Sequence, residues 1–255
     1  MTPDPYSQQE IPLPRLRTIS HLWSLAAVLA GLGVAALAVD VPLAAWVREG
    51  NVPGLLQKLC GLCELFSHGL GVMLIVVVIG VLDPWHRYGI GRIMAASLGA
   101  GLSADVLKLL VARERPSHCD FNLTDRGIAT FGDWFPLAGN ASWEQGFPSS
   151  HMATAAGLAI VLAAFYPRGR WLFPALAALA GCQRVLHQSH FASDVLWGAA
   201  VGCIFAPLCV YGSRLSLTFD RLEEWLIARG EAIARAPIAR KSHTPSAQSG
   251  ARPVA

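Results

Sequence analysis

Six stretches of this chain, residues 22–39, 65–82, 90–110, 152–166, 171–186 and 195–211, are almost wholly apolar. A helix on the surface of a water-soluble domain keeps a polar face, whereas a run without one is buried on all sides or surrounded by lipid. About 20 apolar residues cross a bilayer, and several of these runs sit near the short limit, so their helices are expected to extend into the flanking polar residues. With 53% hydrophobic and only 15% charged residues, composition agrees with a membrane protein. The expected fold is all-α: a polytopic bundle of six transmembrane helices, an extracytosolic loop and a C-terminal amphipathic helix.

The remaining segments read in chain order. Residues 1–20 hold Pro3, Pro5, Pro12 and Pro14 before Arg15 and Arg17 and form a flexible arm ending in a basic anchor. Ala36-Leu37-Ala38 resembles a cleavage site, so a signal peptide is the rival reading of the first run, although a signal's apolar region is typically about 7 to 15 residues. Residues 40–57, with Pro42, Gly50, Pro53 and Gly54, read as a turn-rich connection. Residues 111–149 form the long polar segment, and a connection of that length is often functional. Its Phe131, Trp134 and Phe135 are candidates for a lid or headgroup selector. Residues 21–212 make up the membrane domain. Residues 213–235 interleave Leu215, Leu217, Phe219, Leu222 and Trp225 with charges, the pattern of a helix lying on a membrane surface. Residues 236–255 read as disordered.

Short basic connections fix the expected orientation. Arg87 and Arg92, Arg168 and Arg170, and the basic residues before the first run and after the last all fall on one side of six helices. By the positive-inside rule that side is the cytosol. The reactive residues then collect on the opposite, extracytosolic face, in a chain placed in a bacterial inner membrane. The net charge of +3 forms no continuous stripe, which argues against nucleic acid as a partner. Of six cysteines, Cys182, Cys203 and Cys209 lie in apolar runs where they act as small hydrophobes, and Cys60-Gly-Leu-Cys63 is a CxxC without a second pair. Cys119 lies in the long polar loop, where oxidation is open to it. Asn122-Leu-Thr124 and Asn140-Ala-Ser142 match a glycosylation pattern that is short enough to arise by chance.

Three polar clusters converge on the extracytosolic face. Lys108 and Arg115, seven residues apart, share a side if the third helix runs on to Pro116; alone, they read equally as helix-end cations reaching for headgroups. Pro148-Ser149-Ser150-His151 opens the fourth run, and the free N–H groups of such a helix start can hold an anion; alone, it is a plain cap. Third, Arg184 supplies a fork for phosphate oxygens, while His190 and Asp194 stand at i, i+4, a spacing that lets the carboxylate orient the imidazole. A metal held by His187, His190 and Asp194 is the rival, opposed by the positive charge of Lys108, Arg115 and Arg184 around the same pocket.

Lys-x6-Arg-Pro, Pro-Ser-x-His and Arg-x5-His-x3-Asp, in that order over residues 89–212, resemble the type 2 phosphatidic acid phosphatase family, in its membrane lipid phosphatase branch, and more distantly the vanadium haloperoxidases. The resemblance implies that Lys108, Arg115 and Arg184 bind phosphoryl oxygens, aided by Ser149 and Ser150. It further implies that His190 attacks phosphorus to form a phosphohistidine, that Asp194 orients His190, and that His151 protonates the departing alkoxide. No metal or cofactor is implied; the expected partners are a lipid phosphate substrate and membrane lipids. The chain departs from the family at Ser150, usually glycine, and at Gln183, usually serine. A lipid phosphotransferase of the same architecture is an alternative, as is a transporter or scaffold, although no run carries a charge at its middle.

Overall fold

In a computed structural model of the chain, residues 17–124, 126–137, 141–211 and 213–235 are described. The N-terminal arm up to residue 16, the basic residue Arg15 and the tail from residue 236 lie outside them. Nine α-helices occur among the described residues: α1 Arg17–Ala36, α2 Asp40–Arg48, α3 Gly54–Cys63, α4 Gly69–Leu82, α5 Ile90–Lys108, α6 Ser150–Phe165, α7 Leu172–Leu186, α8 Ala192–Val210 and α9 Arg214–Arg235. Two short strands, β1 Val111–Arg113 and β2 Phe131–Trp134, pair antiparallel.

Three helical spans, Thr18–Ala36, Arg87–Lys108 and Ala192–Val210, are long and apolar enough to cross a membrane. A fourth counts if α3 and α4, bent by 66° at the intervening break, form one span; α6 and α7 are shorter apolar helices. The centre of the bundle is α5, α6 and α8. Burial separates the spans: 67% of the apolar window of α8 is inside the protein against 11% for α1, so α8 is the axis and α1 a peripheral helix.

Small side chains allow that centre to close. A Cβ on Gly157 of α6 would collide with the backbone carbonyl of Ala96 on α5, and one on Gly198 of α8 with the carbonyl of Ser149. In lipid, where tails are as apolar as leucine, such close backbone approach supplies much of helix association. Here it also has a positional result. The start of α6 meets the start of α8, and the Ser149 N–H donates to the Asp194 carbonyl at 3.0 Å. At the far end of the bundle, Arg92 pairs with Asp220 and with Glu223 at 2.8 Å, tying α9 to α5.

Two expectations change. Residues 40–57 are not merely turns: Asp40 begins α2 and Gly54 begins α3, because Pro42 and Pro53 stand at helix starts, where proline is tolerated. The polar segment 111–149 contains the β1–β2 pair, so helix is not the whole of the regular structure.

Candidate active site

His190 is 2% exposed and lies in the turn between α7 and α8. Gln188 adopts φ 55°, and this left-handed turn brings the N–H groups of Ser189 and His190 back to the Arg184 carbonyl, at 3.1 and 3.3 Å. The helix end therefore holds Arg184 and His190 together. The Nδ1 atom of His190 lies 2.7 Å from the Gly146 carbonyl oxygen. A carbonyl can only accept, so Nδ1 carries the proton and the lone pair is on Nε2. Burial, and then the charge of Lys108, push the pKa of His190 well below its ordinary value, so the ring is neutral.

The expected cations surround it. Lys108, Arg184 and Arg115 all act electrostatically on His190. Lys108 Nζ donates to Ser150 Oγ at 2.6 Å. Ser149 caps α6, its side chain accepting from the Met152 N–H at 3.4 Å. His151 follows in the first turn, its ring 5.8 Å from that of His68. Among the described residues, Arg115 Nε, Arg184 Nε and Gln183 Nε2 are buried donors without a hydrogen-bond partner. Cationic forks with unused N–H groups beside a neutral imidazole suit an anion with several acceptor oxygens, as phosphate has. No group of three or more His, Cys, Asp or Glu side chains among these residues is arranged to hold a metal.

Residues 90–216 match the PAP2 superfamily. The chain belongs to that superfamily. Over 132 residues, 51% of the chain, it is 33% identical to a lipid A 1-phosphatase of Rhizobium johnstonii and 34% identical to a lipid A 1-phosphatase of Rhizobium etli. It spans about half the length of these curated relatives, 51% and 53%. A crystal structure of a transmembrane PAP2-type phosphatidylglycerolphosphate phosphatase from Bacillus subtilis is similar in fold, with a TM-score of 0.53 at 20% identity over 81% of this chain and 97% of that one. With its apolar spans, this PAP2 chain is an integral membrane protein.

The geometry of the candidate site differs from the expectation in three places. Asp194 does not hydrogen-bond His190: Nδ1 is 3.9 Å from Asp194 Oδ2 and is taken by Gly146. Asp194 instead accepts from the Phe191 N–H at 2.8 Å and pairs with Arg113, which draws its carboxylate away from the imidazole. Lys108 and Arg115 do not share a helix face, because α5 ends at Lys108 and the chain turns into β1. They converge through the tertiary fold. Of the proposed lid residues, Phe131 packs over Arg113, its ring centroid 4.4 Å from the guanidinium carbon, while Trp134 and Phe135 are exposed. Cys119 is a free thiol buried beside Val41, Ala44 and Phe191.

Sequence reasoning missed Arg113 and Asp40. Arg113 is fully buried between the rings of Phe131 and Phe191. It pairs with Asp194, donates to Asp40 at 2.7 Å, to Ser193 at 2.6 Å and to Thr130 at 2.9 Å. Asp40, from the first turn of α2, also accepts from the Ser193 N–H at 3.0 Å. The available signal was an arginine and an aspartate each flanked by apolar runs; their partnership spans 73 positions and has no local trace. His68 was missed as well. Its Nδ1 accepts from the Leu70 N–H at 3.2 Å, which places its proton on Nε2, and its side chain shares a cavity wall with His151.

Proposed function

We propose that this protein is a membrane phosphatase that removes a phosphoryl group from a lipid by way of a phosphohistidine. The observation that carries the reading is the neutral His190, its Nδ1–H given to Gly146 and its Nε2 lone pair free, among Lys108, Arg115 and Arg184. On this reading the chain crosses a bacterial inner membrane six times, with α3–α4 as one span and α6 and α7 as short ones, and the positive-inside rule supports cytosolic termini and an extracytosolic site. α9 lies along the cytosolic surface.

In the first step His190 Nε2 bonds to phosphorus while the bond from phosphorus to the lipid oxygen breaks, and His151 gives its proton to that oxygen. In the second, water attacks phosphorus as His151 takes back a proton, releasing inorganic phosphate and neutral His190. The cations hold charge on the phosphoryl oxygens through both displacements, which is positioning and electrostatic work. Asp194 fixes the start of α8 and thereby the His190 turn. A lipid substrate is supported by a cavity of about 670 Å³ bordered by α4, α5 and α6, whose walls run from Ser150 and His151 to the apolar Met94, Leu98 and Leu102. The names of the relatives put lipid A and phosphatidylglycerophosphate first among substrates to try, with phosphatidic acid and polyprenyl pyrophosphate beside them.

The test is release of inorganic phosphate from that panel by detergent-purified protein in chelator. His190→Ala is expected to lower turnover by on the order of 10⁴-fold or more. A fully active His190→Ala protein, or no release from any lipid, refutes the proposal. Label passing to an acceptor lipid instead of to water identifies a phosphotransferase.

A further inference from the structure

Two of the cations at the site are paired with carboxylates that none of the three motifs contains. Asp105 Oδ1 lies 3.2 Å from Lys108 Nζ, and Glu64 Oε1 lies 3.1 Å from Arg184 Nη1. Unlike the sealed Asp40 and Asp194, these carboxylates reach solvent, with side chains 54% and 41% exposed. Asp105 borders the same cavity as His68, Ser150 and His151. Glu64 starts the short turn Glu64–Phe66 at the break between α3 and α4, the elbow that also carries Ser67 and His68 into that cavity. Each pair joins a largely buried cation to an exposed carboxylate. Their consequence is electrostatic: each places a negative charge directly beside a phosphate-binding cation.

With His190 neutral, the formal charges around it cancel. Lys108, Arg113, Arg115 and Arg184 are balanced by Asp40, Asp194, Glu64 and Asp105. One phosphoryl group can be drawn in by the unused Nε–H of Arg115 and of Arg184. A second phosphoryl group bonded to the first brings further negative charge to the rim, where the acceptors of Glu64 and Asp105 already stand. Like charges a few ångströms apart in a partly desolvated site repel strongly.

We infer that Glu64 and Asp105 are specificity-determining residues that restrict the site to a single phosphoryl group, making the substrate a phosphomonoester and disfavouring a pyrophosphoryl lipid. The inference rests on the phosphatase reading for its biological meaning, but not for its test. Glu64→Gln and Asp105→Asn keep the shape and a hydrogen-bond acceptor while removing the charge.

The experiment is calorimetric binding of inorganic phosphate and of inorganic pyrophosphate to the full-length protein in detergent and chelator. Wild type is expected to bind phosphate about tenfold more tightly than pyrophosphate. Each single variant should narrow that ratio, and the double variant should bring it to within about threefold, mainly by tightening pyrophosphate. The gap should also shrink as ionic strength rises. A wild-type protein that binds pyrophosphate as tightly as phosphate overturns the inference. So does an unchanged ratio in the double variant, or loss of both anions, which makes the carboxylates supports for the cations and not selectors. Because binding is read without turnover, a protein that discriminates the two anions as expected yet hydrolyses no lipid refutes the phosphatase reading alone.

Discussion

Arg113 and Arg115 stand two residues apart, and the fold gives them opposite tasks. Arg113 is enclosed, its guanidinium shared by Asp40, Asp194, Ser193 and Thr130 and sandwiched between Phe131 and Phe191. Arg115 keeps a buried Nε without a partner, as Arg184 does. A buried charge with every donor satisfied holds structure together, whereas a cation with donors left over is prepared for a ligand. The motif names the second kind, and the first kind gives it a rigid frame.

The comparison is sharpest at Arg113 itself. Arg113→Ala leaves Asp40 and Asp194 buried and uncompensated, so a loss of about 3–5 kcal/mol of stability is expected, seen as a collapse of the melting transition in detergent. Survival with a near wild-type melt would show that the network is not a frame. Arg115→Ala and Arg184→Ala are expected to behave the other way, with turnover falling about 10²- to 10³-fold while the melting temperature barely moves. If both kinds of variant lose stability alike, the distinction fails.

Acid is a gentler probe. The folded pKa of His190 is depressed by burial and then by Lys108, whereas the unfolded ring takes a proton near 6.5. Its contribution is therefore intact above the unfolded pKa and is lost as pH falls below it, by about 1.4 kcal/mol per pH unit down to the folded pKa. Denaturation at about pH 7.5 and pH 5.5 should show a steeper fall for wild type than for His190→Gln, and equal slopes would refute the assignment. The smallest effect is expected for Ser193→Ala, which removes one bond each to Arg113 and Asp40 at a cost of about 1 kcal/mol in the same melt, with the chemistry unaffected.

Much of this was legible before any coordinates. The six apolar runs located α1, α4, α5, α6, α7 and α8, though not α2 and α3; Ser149 at the start of the fourth run predicted its cap, and Lys108, Arg115 and Arg184, singled out along with His190, do act electrostatically on that imidazole. The i, i+4 relation of His190 and Asp194 was legible too, but it overstated their bond. Spacing places two residues on neighbouring turns without telling which other groups compete for them. Gly146 and Arg113 won that competition, and both come from the loop whose sequence has no period to read. Gln183 also acquires a place: its amide oxygen accepts from Arg184 Nη1 at 3.3 Å, steadying the guanidinium.

By itself the sequence determined the lipid-embedded helical character of the chain and the types of group available for phosphate chemistry, because hydropathy and motif spacing are local properties. Tertiary structure alone decided that Asp40 of α2 neutralises Arg113 of β1, that the Nδ1–H of His190 donates to the Gly146 carbonyl, and that Glu64 and Asp105 border the site. Each of those depends on groups brought together from distant parts of the chain. Where a buried charge or proton comes to rest is fixed by all its neighbours at once, and no single segment holds that information.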